Sequence, residues 1–73
     1  MRLSETAADK EYAVKSIEGD DHFIKRITSI GITEGSILQT VKNDRKMPIL
    51  IYSRETLIAL SRDDARKLEV ETL

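Results

Sequence analysis

The sequence of 73 residues contains no cysteine, one histidine, one proline and three glycines, and its only aromatic residues are two tyrosines and one phenylalanine. Without cysteine the chain can form neither a disulfide framework nor a thiolate metal site, so its stability must come from the packing of Ile, Leu and Val side chains. A chain of this length forms a single domain, residues 1–73, near the lower limit at which one hydrophobic core stabilises a fold unaided.

Long apolar runs and an excess of one charge are also missing. The longest apolar run, residues 48–52, has the length of a strand, whereas a membrane helix needs roughly 20 apolar residues. The N-terminus is mostly polar and lacks the apolar stretch of a secretory signal. Twelve basic residues against thirteen acidic ones give a net charge of -1, which argues against a dedicated nucleic-acid binder. We therefore expect a cytoplasmic protein that neither inserts directly into the membrane nor binds nucleic acid.

Residues 20–31 have the apolar period of a helix. The apolar stripe consists of Phe23, Ile24, Ile27 and Ile30. Phe23, Ile27 and Ile30 follow the i, i+4, i+7 spacing that places side chains on one helical face, and Ile24 widens the same stripe. Asp20 or Asp21 can accept hydrogen bonds from the first free amides, and Gly31 follows the stripe where a left-handed C-terminal turn favours glycine. The sequence therefore predicts a helix of about three turns that is capped at both ends.

The other segments have the short apolar or alternating pattern of β-strands. The predicted strands are residues 11–19, with a possible bulge, 36–42, 48–53, 56–61 and 68–73. The third is apolar on both faces, which is typical of a central or covered strand. In Ser61-Arg62-Asp63-Asp64 we expect a capping box, with the serine hydroxyl bound to the third amide and the carboxylate reaching back, at the start of one helical turn. Together these elements favour a mainly β fold with one inserted helix, a small, partly open SH3-like barrel.

A set of residues spread over nearly the whole chain matches one family pattern. The set comprises Leu3-Ser4-Glu5, Val14, Ile17, Gly19, Lys25-Arg26-Ile27, Ile30-Gly31-Ile32, Gly35, Pro48-Ile49, Ile58-Ala59-Leu60, Ala65 and Val70. Its most specific part is the basic-basic-apolar helix followed by glycines at Gly31 and Gly35, with Ile27 in place of the usual leucine. In this pattern the chain resembles the FeoA family of small cytoplasmic accessory proteins of bacterial ferrous iron transport, whose domain is an SH3-like barrel.

The resemblance implies a function and leaves one alternative. A FeoA-like protein is expected to be non-enzymatic, to hold no cofactor, and to bind and modulate the cytoplasmic GTP-binding part of the membrane permease FeoB. The same domain type forms the C-terminal part of iron-dependent repressors, so a metal-responsive or nucleic-acid-associated barrel is the alternative. Because the chain starts at the domain's first strand and leaves no room for a helix-turn-helix, we expect the stand-alone protein.

Two pairs of residues are candidate contacts with such a partner. Lys25 and Arg26 can meet an acidic surface, or they are simply the polar side of an amphipathic helix. Leu50 and Tyr52, on the second face of the third strand, can contact a partner, or the helix covers them. A further basic group could touch phosphates in the alternative function, or form a solvated hairpin. It consists of Lys42, Arg45, Lys46 and Arg54.

Reactive groups are few. Asp21 and His22 are weak candidates for metal ligands beside Asp20, but adjacent helical residues point to different sides, so a solvated cap is the simpler interpretation. Gly31 and Gly35 lack the lysine and hydroxyl residue of a nucleotide-binding loop, and we interpret them as a structural motif. With one histidine and no cysteine, the chain has few ways to build a nucleophile and base pair.

Overall fold

Five antiparallel strands form a single sheet in the computed structural model, which describes residues 1–73. The strands are β1 (Lys10–Ile17), β2 (Ile37–Lys42), β3 (Ile49–Ser53), β4 (Thr56–Leu60) and β5 (Leu68–Thr72). Their order is β4-β3-β2-β1-β5, and no ladder joins β4 to β5. The sheet is therefore a partly open barrel, as predicted, and β3 lies between two other strands.

The helix α1 (Asp21–Ser29) follows β1, and both predicted caps are confirmed. The Asp20 carboxylate accepts a hydrogen bond of 2.9 Å from the Phe23 amide, and Gly31 has a φ of +101°. The apolar stripe is correct except at its end. Ile30 is the C-cap residue, with non-helical ψ, so its side chain leaves the stripe and is 40% exposed. Ile32 is fully buried instead.

Alternation along the strands separates an inner face from an outer one. In β2 the inner residues are Leu38 and Thr40, and the Thr40 hydroxyl lies 2.7 Å from that of Thr6. The predicted irregularity of β1 is a register shift between Val14 and Ser16. The core consists of Leu3, Tyr12, Val14, Phe23, Ile27, Ile32, Leu38, Ile49, Ile51, Leu60, Ala65, Leu68 and Val70.

Two short elements lie near the gap between β4 and β5. A 3₁₀ turn at Leu3–Glu5, which the sequence did not indicate, buries Leu3 in the core. The single-turn helix α2 (Arg62–Ala65) follows β4, and the Ser61 hydroxyl accepts from the Asp64 amide at 3.1 Å, as predicted.

The other half of the predicted capping box is wrong. The Asp64 carboxylate accepts a hydrogen bond of 3.0 Å from Arg26 of α1 rather than reaching back to Ser61. A charged guanidinium is a stronger donor than a neutral amide, so this geometry satisfies the carboxylate and ties α2 to α1. None of the helices has the length and apolarity that crossing a membrane requires.

Candidate interaction surface

The outer faces of β2, β3 and β4 bring three large apolar side chains to the surface. The register places Tyr52 opposite Leu57 on one side and opposite Gln39 on the other. Leu57 is 58% exposed, Ile37 46% and Tyr52 43%. Together with Arg54, these three apolar residues are called the outer patch below. Exposed apolar side chains scattered singly are ordinary, whereas a contiguous group marks a candidate binding surface.

Two adjoining open depressions extend across this surface. The larger, of about 430 Å³, is lined by Thr33, Glu34, Gly35, Ser36, Ile37, Ser53 and Arg54. The smaller, of about 210 Å³, is lined by Glu11, Ile37, Leu38, Gln39, Tyr52, Ser53 and Arg54. Both share Ile37, Ser53 and Arg54, so they form one groove. The Ser53 hydroxyl donates a 2.9 Å hydrogen bond to the Ile37 carbonyl, which fixes β3 to β2 at the centre of the groove.

Arg54 occupies an unusual backbone conformation beside the groove. Arg54 and Glu55 form the two-residue turn between β3 and β4, with φ values of +53° and +61°. Such turns normally use Asn-Gly, because left-handed φ strains residues that carry a Cβ atom. Backbone strain of this kind is found most often at functional sites. Arg54 takes part in none of the ion pairs of the structure, so its exposed guanidinium is available to a partner.

The glycines of the helix-end motif border the same surface. A Cβ atom on Gly31 would lie 3.9 Å from the Arg54 side chain, and Gly35 lines the larger depression. Gly35 has a φ of +89°, and its amide donates to the Val14 carbonyl at 2.8 Å. Gly35 therefore forms part of the wall of the groove, and the structural role of the two glycines stays a prediction.

The predicted contact residues do not all share one surface. Tyr52 belongs to the outer patch, and half-buried Leu50 lies beside it on the outer face of β3. The alternative in which α1 covers this face is wrong, because Phe23 and Ile27 of α1 pack with the inner residues of the sheet. Lys25 and Arg26 lie on α1 and line neither depression.

Arg26 and Lys25 differ in the number of contacts that their side chains make within the protein. Besides its ion pair with Asp64, the Arg26 guanidinium lies 5.3 Å from the centroid of the Phe23 ring. The Arg26 guanidinium therefore already makes an ion pair and a cation–π contact within the fold. Lys25 is exposed and makes no ion pair. Their role as contacts stays a prediction, and Lys25 is the freer of the two.

The basic group predicted around the β2–β3 hairpin is divided by the fold. Arg45 and Lys46 lie in the loop before β3, whereas Arg54 follows its last residue. A five-residue strand separates its ends by about 13 Å. Arg54 therefore belongs to the outer patch and not to one continuous basic surface. The sequence feature that could have indicated this role of Arg54 is a two-residue hairpin turn without glycine or asparagine.

The helix start gives little support to a metal site. Asp21 and His22 are exposed in the first turn of α1, and Asp20 is engaged as the cap. No group of three or more His, Cys, Asp or Glu side chains in the chain is arranged to hold a metal ion. Two pKa shifts lie at the edge of β5, where a hydrogen bond from the Met1 ammonium lowers the pKa of Glu69 and one to Glu18 raises the pKa of Arg2.

Comparisons with known proteins agree in family and fold. A family model described as the FeoA domain matches residues 1–72. The crystal structure of an iron uptake regulatory protein (FeoA) has a TM-score of 0.94 at 25% identity, covering 100% of this chain and 97% of that one. The solution structure of FeoA from Chlorobium tepidum has a TM-score of 0.89 at 24% identity, covering 100% and 70%.

A similar fold occurs within longer regulators. A manganese-dependent transcriptional repressor has a TM-score of 0.90 at 20% identity, with 100% of this chain covered and 41% of that one. At this identity the likeness shows the fold alone. No curated protein matches the chain in sequence.

Proposed function

This chain belongs to the FeoA family, and we propose that it is a non-enzymatic accessory protein of ferrous iron uptake. Its partner in this proposal is the cytoplasmic GTP-binding part of a FeoB-like permease, which it binds and modulates. The observation that carries the proposal is the outer patch, in which three exposed apolar side chains lie on the same surface as an arginine held on a strained turn.

The composition of the patch suits a protein interface. Tyrosine and arginine are enriched among the residues that dominate binding energy, and apolar neighbours exclude water around them. Tyr52 and Leu57 are neighbours on paired strands, so little backbone freedom is lost on binding. The free Arg54 guanidinium calls for a carboxylate on the partner. The expected counterpart is therefore an apolar surface with an acidic residue at its border.

The mode of action follows from binding alone. A protein that binds one nucleotide state of the permease more tightly than the other shifts the equilibrium between the states by that difference in affinity. A tenfold preference corresponds to about 1.4 kcal/mol. No catalytic group is needed for such modulation.

The proposal is tested by titrating this protein into the soluble GTP-binding part of the permease, loaded with GDP or with a non-hydrolysable GTP analogue. We expect Tyr52→Ala and Arg54→Glu to weaken binding at least about tenfold, the loss typical of a central interface residue. Lys46→Glu is the matched control, since it makes the same change of charge at the other end of β3 and should leave affinity unchanged.

Two outcomes would contradict parts of the proposal. Absence of binding in both nucleotide states would exclude the permease as partner. A loss of binding with Lys25→Glu but not with Arg54→Glu would keep the partner and move the contact surface to α1.

The fold shared with a metal-dependent repressor supports a second candidate, a metal-responsive or nucleic-acid-associated barrel. This candidate predicts salt-sensitive binding to RNA or DNA, because phosphate contacts release counterions. Its metal-dependent form predicts a stoichiometric ferrous site, lost on His22→Ala, in an anaerobic titration. Neither result is expected if the first proposal is correct.

A further inference from the structure

The free edge of β4 has no partner within the chain. At the other end of the sheet, the N-terminal segment covers the edge of β5, where the Val70 amide donates to the Met1 carbonyl at 2.7 Å and Arg2 forms a bridge with Glu69. The backbone of β4 pairs with β3 alone, and no hydrogen bond from a turn, loop or side chain reaches it.

The backbone N–H and C=O groups of successive residues in β4 point alternately toward β3 and toward the free edge. A two-residue hairpin is closed by a hydrogen-bonded pair, here Ser53 and Thr56, and such pairs recur at every second position. The N–H and C=O groups of Ile58 therefore point to β3. Those of Leu57 and Ala59 point away from it, toward the free edge.

The edge also lacks the usual protection against pairing. Natural edge strands carry charged residues or proline that block association with another strand. Residues Thr56–Leu60 contain neither, whereas β5 carries Glu69 and Glu71. Leu57 and Ala59 are both exposed on the outer face. An uncharged edge of this kind suits a partner strand that is itself uncharged.

We propose that two copies of this chain associate by antiparallel pairing of β4 with β4 across a twofold axis at Ile58. In this register Leu57 lies opposite Ala59 of the second copy, and Ala59 lies opposite Leu57. Because both residues present their N–H and C=O groups outward, every free group finds a partner. A shift by one residue would instead oppose groups that are already bonded to β3.

Charges at the ends of the strands favour a second copy over an unrelated peptide. When the same pairing is continued beyond the strands, Arg54 faces the first residues of α2 in the second copy. There Arg62 is turned inward, donating to the carbonyls of Asp44, Met47 and Ser4. Asp63 is the outward carboxylate, with its side chain 88% exposed; its Oδ1 pairs with Arg66 of the same copy, which leaves Oδ2 for Arg54. Arg54 has no ion pair in the monomer, so the dimer supplies one at each end.

The association is reversible. One pair of short strands makes a small interface, and small interfaces give weak, transient complexes. We expect a dissociation constant between about 10 µM and about 1 mM. Because Arg54 and Leu57 also belong to the outer patch, the dimer competes with permease binding; that consequence rests on the proposed function, but the dimer does not.

The dimer is tested without any permease, by amide exchange in NMR and sedimentation velocity on the full chain from about 5 µM to about 2 mM, which brackets the expected constant. The mass should rise toward that of a dimer, and the Leu57 and Ala59 amides should gain protection with concentration. The Ile58 amide, bonded to β3 in the monomer, is the internal control and should not change. A monomer throughout, or new protection elsewhere, overturns the proposal.

A charge exchange tests the register. Asp63→Arg should weaken the dimer at least about fivefold, the effect of placing like charges together. Adding Arg54→Asp to Asp63→Arg should restore the wild-type constant, and Glu71→Arg on β5 is the control that should not alter it. A double variant no tighter than the single one rules out this register, and dimer loss with Glu71→Arg places the interface on β5.

Discussion

Gly19 allows the Phe23 ring to lie directly against the backbone where β1 ends and α1 begins. Its φ is +127°, a value that residues with a Cβ atom rarely adopt. A Cβ atom built at this position would lie 2.8 Å from Cδ2 of Phe23. The position therefore excludes a side chain for two reasons, one conformational and one steric.

We predict that Gly19→Ala destabilises the protein more than Gly35→Ala. Gly35 also has a positive φ but has no atom within 4 Å of an added Cβ, so alanine there should cost only the conformational strain, about 1–2 kcal/mol. At Gly19 the clash with Phe23 adds about 1–3 kcal/mol. Urea denaturation of both variants gives the difference. Equal losses would show that the Phe23 ring moves aside without cost.

For single residues, the sequence predicts the backbone conformation better than it predicts which side chains are buried. Gly31 follows a periodic apolar stripe, and its predicted left-handed conformation is confirmed by a φ of +101°. Ile30, one residue earlier, was expected in the stripe and is exposed. The period gives a direction for each side chain only while the backbone stays helical, and it cannot show where the last turn ends.

The turn between β3 and β4 is the element whose local sequence fits its conformation least. Glu55 has a φ of +61° without the glycine that type I′ turns favour. The ladder from Ser53–Thr56 to Ile49–Leu60 holds the turn in place, so β-strand pairing compensates for the strain.

Glu55→Gly should therefore stabilise the protein, by about 0.5–1 kcal/mol, because it removes the left-handed strain at the cost of some chain entropy. Glu34→Gly is the matched control. Glu34 is not among the residues with positive φ, so glycine there should be neutral or destabilising. The measurement is the midpoint of urea unfolding at constant m-value. Destabilisation by Glu55→Gly would mean that its side chain contributes more than the strain costs.

The elements could be predicted from local patterns, but the outer patch could not. The patterns of residues 20–31 and 48–53 depend on neighbours a few positions away, and both elements are observed close to their predicted bounds. The patch requires the registers that place Tyr52 beside Leu57 and Gln39. Those registers depend on contacts between strands, and the apolar residues on both faces of β2 and β3 do not reveal which face is outward.

On the scale of the whole molecule, one edge strand of the open barrel is covered by another segment of the chain and the other is not. At β5 the N-terminal segment adds backbone pairing, and the Met1 ammonium binds the Glu69 carboxylate at 2.8 Å. No segment of the chain pairs with the outer edge of β4. The difference explains why the sheet is open yet has only one edge available for association.

The contact between Met1 and Glu69 makes the sealed edge sensitive to acid. The Met1 ammonium, the first cause, and then Arg2 and Lys15 lower the pKa of Glu69 below its ordinary value of 4.5, despite partial desolvation. A carboxylate with a lowered folded-state pKa contributes stability that is present above the unfolded-state pKa and is lost as pH falls through the folded-state value. The contribution of Glu69 should therefore be complete near neutral pH and decline from about pH 4.5 downward.

Urea unfolding of the wild type and of Glu69→Gln from about pH 6.5 to about pH 2.5 measures this contribution as a difference between the two proteins. We expect the wild type to be more stable at the upper end and the two curves to converge in acid. Glu34→Gln is the control, since it makes the same substitution at a side chain that takes part in no hydrogen bond or ion pair. A Glu69→Gln difference that stays constant down to the lowest pH would show that the ammonium does not stabilise the carboxylate, and that backbone pairing alone seals β5.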